Sequence, residues 1–122
     1  MNDAKNKISI HPGYVLVERP QNHTVLLADQ PTFLREVASV CEAASCGAVL
    51  IRGTSTKVKL SIMDVYELGK RIAGLGLQIA IVESHDASSS RVEFLESVAT
   101  IRGGAIKFFD NEQHAKDWLG VS

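Results

Sequence analysis

Two hydrophobic rhythms alternate along this chain: short apolar or alternating runs, and longer stretches in which apolar residues recur every three or four positions. Lys7–His11 and Tyr14–Arg19 are of the first kind, rich in Ile, Val and Tyr and separated by the turn dipeptide Pro12-Gly13, which predicts a β-hairpin. Pro20 ends the second run, because proline offers no donor to a sheet ladder. Asn22–Leu27 reads either as a third short strand or as an extended lead-in to a helix. Phe33, Val37, Val40, Cys41 and Ala44 then recur at helical spacing behind Asp29 and Pro31, residues suited to a first turn. Gly47 is the expected stop, and Ala48–Ile51 reads as a buried strand.

Arg52–Leu60 follows as a polar connection, longer than the usual span of about 2–6 residues. Ser61 opens Ser-Ile-Met-Asp, the spacing of a capping box, and Val65, Leu68, Ile72 and Leu75 form the stripe of a second helix. Gly69 interrupts that helix at about 1 kcal/mol relative to alanine, which close packing on a sheet would explain. Leu77–Val82 is the clearest buried strand. After the loop Glu83–Ala87, Ser88, Ser89 and Ser90 offer caps for a third helix with the stripe Phe94, Leu95, Val98 and Ile101. Gly103-Gly104 stops it, Ala105–Phe109 is the last strand, and Asp110 or Asn111 caps a short final helix whose Trp118 and Leu119 dock on the core. The sum is a hairpin followed by α-β-α-β-α-β-α. That order predicts an α/β fold with a mixed, mainly parallel sheet of four to five strands, an N-terminal β-hairpin at one edge and four flanking helices.

Length and charge narrow the picture. The 122 residues, 13.2 kDa, suffice for one ordinary core and are read as a single domain over 1–122. Thirteen basic and fourteen acidic side chains leave a formal charge of -1, so there is no electrostatic footprint for nucleic acid. No apolar run approaches the roughly 20 residues of a membrane span, and the opening MNDAKNKISIHPG lacks the apolar core of a signal peptide. Cys41 and Cys46, if carried on one continuous helix, would stand about 7.5 Å apart along its axis and roughly 140° apart around it. That geometry is unsuited to a bridge, so both are expected as reduced, core-lining thiols of a cytoplasmic protein.

Chemistry is sparse. His11, His23, His85 and His114 have no second ligand at the spacings zinc requires, and no metal or cofactor is expected. Glycine-rich phosphate loops are absent from strand-to-helix turns, and no nucleophile elbow occurs. What remains is a hydroxyl-rich segment before the second helix: Thr54, Ser55, Thr56 and Ser61, interspersed with Arg52, Lys57 and Lys59. Helix N-termini favour anions, so this segment and His85, Ser88 and Ser89 before the third helix are the candidate binding residues. Both connections are expected to leave the carboxyl ends of parallel strands and to share one rim.

The stretches VLIRG, SIMDVYELGKRIAGLGLQIAIVES and RVEFLESVATIRGGAIKFFDNEQHAKDWL resemble the STAS-like superfamily, in particular its small stand-alone SpoIIAA-like members. The resemblance spans about the last 75 residues; before residue 45 only the order of elements matches. It implies a mixed sheet flanked by helices in a small non-enzymatic regulatory or binding protein. In antagonist members a serine at the start of the second helix is phosphorylated by a partner kinase. By position that serine is Ser61, although the antagonist motif reads Asp-Ser-Ser-Gly where this chain has Lys59-Leu60-Ser61-Ile62. The expectation is a protein that engages a protein partner or small anionic ligand through the loops before the second and third helices. Two alternatives stay open: an enzyme with His85 or Glu83 as base on the same rim, and a self-associating scaffold or homodimer joined through the exposed hairpin strand.

Overall fold

The computed structural model describes residues 6–20, 24–53, 57–58, 60–83 and 90–121. The hairpin forms as its sequence predicts: β1 (Lys7–His11) and β2 (Tyr14–Glu18) pair antiparallel with His11 opposite Tyr14, so that Pro12 and Gly13 alone make the turn. Gly13 takes φ +87°, a conformation that L side chains rarely adopt. The remaining strands of the main sheet are β4 (Ala48–Gly53), β6 (Gln78–Glu83) and β7 (Ala105–Phe109). Their order is β1-β2-β4-β6-β7, parallel throughout except for β1 at the edge. The ambiguous segment before the first helix resolves as β3 (Thr24–Val25). It pairs in parallel with β5 (Lys57–Val58) to make a separate two-stranded ribbon. The long connection after β4 is therefore tied at its middle, which a count of polar residues does not reveal.

Four helices follow the predicted order: α1 (Gln30–Ala44), α2 (Ile62–Ala73), α3 (Ser90–Ile101) and α4 (Glu112–Leu119). Each crossover advances the sheet in the same direction, and same-handed crossovers that advance one way lay their helices on one face. Strand side chains alternate between faces. Val15, Val17, Val49, Ile51, Ile79, Ile81 and Ile106 pack with Leu34, Val37 and Cys41 of α1, Val65, Leu68 and Ile72 of α2, and Leu95 and Ala99 of α3. The other face carries Tyr14, Leu16, Ala48, Leu50 and Ala80, covered by Ala115 and Leu119 of α4. Leu50 and Ala80 are fully buried there, although α4 is only eight residues long.

Three details differ from the sequence reading. First, α1 does not run on to Gly47: Ser45 takes the left-handed conformation at φ 54°, ψ 43° and turns the chain two residues earlier. Second, Ile101 is 84% exposed. Successive helical residues rotate by about 100°, and that rotation places Leu95, Val98 and Ala99 on the buried side while Ile101 points away. Third, Gly69 is indeed a point of close approach, but to α3 rather than to the sheet. A Cβ there would stand 2.7 Å from Val98 Cγ1 and 2.9 Å from Val98 Cβ.

Candidate functional site

The rim expected from the sequence is present as backbone geometry. β4 and β6 run parallel and in register to their last residues, Gly53 opposite Glu83, so the connections to α2 and α3 leave from one lip of the sheet. β2 ends on the same lip, with Glu18 opposite Arg52. Of the candidate binding residues, Lys57 is placed by its backbone in β5 and Ser61 is described in full. Thr54, Ser55, Thr56, Lys59, His85, Ser88 and Ser89 lie outside the described residues. Glu83 closes β6 and Ser90 opens α3.

Ser61 is the N-cap of α2, and its surroundings follow from the S-x-x-D pattern. Its hydroxyl accepts from the Asp64 backbone N–H at 3.1 Å, and the Asp64 carboxylate accepts from the Ser61 N–H at 3.0 Å. Leu60, buried at 6%, anchors the turn from below in the main core. A reciprocal box satisfies two amides that would otherwise be free, and it sets a carboxylate at the spot where a helix dipole would attract an anion. The two residues after the cap are apolar and exposed: Ile62 at 49% and Met63 at 67%. The sequence reading passed over both. The signal was available, because Met63 lies two residues from Val65 and so falls off the Val65-Leu68-Ile72 stripe.

Arg52, grouped above with the loop cations, has a different role. As the fifth residue of β4 it shares the face of Ala48 and Leu50 and points toward α4. Its Nε and one terminal nitrogen donate to the Glu112 carboxylate at 2.9 and 3.1 Å, and the other donates to Glu18 at 3.1 Å. Lys116 reaches Glu112 at 3.4 Å. Burial pushes the Glu112 carboxyl up, but Arg52 and Lys116 outweigh it and hold the group below the usual carboxylate range. This fork-on-carboxylate pair pins the start of α4 under the lip. It also leaves the Arg52 guanidinium committed to protein carboxylates.

Away from the lip, Tyr66, Val98, Ile101 and Arg102 line an open groove of ≈ 510 Å³ on the outer side of α2 and α3. Arg102 donates to the Tyr66 hydroxyl at 2.6 Å, and Lys70 and Arg102 each lie 5.4 Å from the Tyr66 ring centre. Among the described residues no group of three His, Cys, Asp or Glu side chains is placed to hold a metal ion. Nor is any described helix long and apolar enough to cross a membrane. In comparison with known proteins, the chain matches no protein-family model and no curated protein.

Proposed function

We propose that this chain is a non-enzymatic regulatory or binding protein of the STAS-like, SpoIIAA-like kind, which engages a protein partner through the lip at the start of α2. The observation that carries the reading is the exposed apolar pair Ile62 and Met63 in the first turn of α2, directly after the Ser61 N-cap. Exposed apolar side chains on a rigid, capped helix end suit protein recognition, where one or two buried anchors supply most of the affinity. A mixed five-stranded sheet flanked by helices is the kind of fold that the resemblance implies.

A protein surface suits this lip better than a small anion does. The Asp64 carboxylate occupies the end of α2 and Arg52 is engaged by two glutamates. A phosphate on Ser61 would meet the Asp64 charge and lose the cap, so the geometry lends no support to a phosphoserine switch. The test is to place a photo-cross-linking residue at position 63, and separately at Ile10 on β1, in the native host cell. A discrete adduct at 63 and not at 10, with affinity for the captured protein about tenfold or more weaker for Met63→Asp, is the expected result. An adduct at 10 alone, or binding indifferent to Met63→Asp, overturns the assignment.

A further inference from the structure

The two cysteines do not stand where a continuous helix would put them. α1 ends in a reversal: the Ser45 N–H donates to Glu42 O at 3.1 Å, and the Cys46 N–H donates back to Cys41 O at 3.0 Å. This is a six-to-one closure of the Schellman type, which brings the side chain after the left-handed residue against the side chain five positions earlier. Here those two residues are Cys46 and Cys41. Cys46 packs at the margin of the core that contains Cys41, and its thiol stands 4.0 Å from Ala48 O. Ser45 is the one non-glycine residue with positive φ among the described residues. Access to the two sulfurs is unequal. Cys41 is 2% exposed, whereas Cys46 is half-buried.

We propose that Cys41 and Cys46 form a reversible disulfide site at the corner where α1 turns into β4, oxidised by low-molecular-weight disulfides such as glutathione disulfide. The accessible Cys46 thiolate attacks one glutathione sulfur, forming a mixed disulfide and releasing one glutathione thiolate, which takes up a proton. Cys41 then gives up its proton to solvent and attacks Cys46 Sγ, forming the internal bond and releasing the second glutathione. Two protein thiols are oxidised and one glutathione disulfide is reduced to two thiols, so the step balances. In the reduced protein burial first, and the neighbouring sulfur second, push the Cys41 thiol up to about 11; burial persists in the mixed disulfide, so closure quickens as pH rises.

These are the only two cysteines of the chain, which makes the test unambiguous. The folded protein is incubated with glutathione disulfide at about pH 8, quenched with acid and weighed, and its thiols are counted after denaturation. The expected product is a monomer lighter by two hydrogens, with no free thiol and a Tm higher by about 5–10 °C, reversed by dithiothreitol. Cys46→Ser should leave Cys41 unreactive in the folded state, and Ser45→Gly should retain closure because glycine suits the left-handed position. A stable glutathione adduct on Cys46 with Cys41 still free overturns the proposal. So does a cross-linked dimer, or reaction only after unfolding.

Discussion

Ser61 and Gly69 fix α2 by opposite means, one by what its side chain supplies and the other by having none. Ser61→Ala removes the acceptor for the Asp64 N–H, so the protein should lose about 0.5–2 kcal/mol in urea unfolding with an unchanged slope. An unaltered midpoint would show that the box contributes nothing. The cap was legible in the sequence because its bonds close within four residues, where spacing alone decides the geometry. Gly69 was half legible. A glycine at that position implied a close neighbour, but whether the neighbour is the sheet or α3 is decided by tertiary packing, and it is Val98 of α3. The cysteine geometry was misread for a related reason. Serine carries little preference for the left-handed conformation, so nothing local announced a reversal at Ser45 while Gly47 stood two residues on.

At the scale of elements, the sheet and helices were legible wherever the apolar period was strong, and their attachments were not. The sequence placed Trp118 and Leu119 on the core, and Leu119 is buried while Trp118 tilts against Phe109 with ring centres 5.8 Å apart. What holds α4 at its two ends could not be read, because it spans 60 residues at Arg52–Glu112 and 40 at Gln78 Nε2–Trp118 O. The charged end makes a pH-dependent contribution. The Glu112 carboxyl is lower in the folded protein than in the unfolded chain. Its stabilisation is therefore fully present above the unfolded value of about 4.3 and is lost as pH falls through the folded value. Both side chains are about one-third exposed, so screening limits the pair to about 0.5–1 kcal/mol. Glu112→Gln should cost that much at pH 7 and almost nothing near pH 2, measured by urea unfolding at each pH. An equal deficit at both would mean that shape rather than charge holds α4.

The whole molecule is wound in one direction, from β2 through β4 and β6 to β7, so no two neighbouring crossovers part to opposite faces and open the crevice that doubly wound sheets use for ligands. This is why the rim could be deduced from element order while its use could not: converging loops follow from parallel strands, but recognition depends on side chains such as Met63 that the core pattern ignores. One-way winding also leaves two unlike edges. At β7 the Phe108 N–H donates to the Glu96 carboxylate of α3 at 2.8 Å, so a helix side chain occupies an amide that a further strand would use. β1 closes the other edge with Ile10 60% exposed. An unpaired edge amide invites intermolecular pairing. Glu96→Ala should therefore add concentration-dependent association beyond that of wild type, seen as a sedimentation coefficient that rises more steeply with loading concentration. Glu96→Gln keeps an oxygen acceptor in the same place and should sediment like wild type. If Glu96→Ala also matches wild type, the β7 edge is protected by something other than that carboxylate, and the contrast between the two edges disappears.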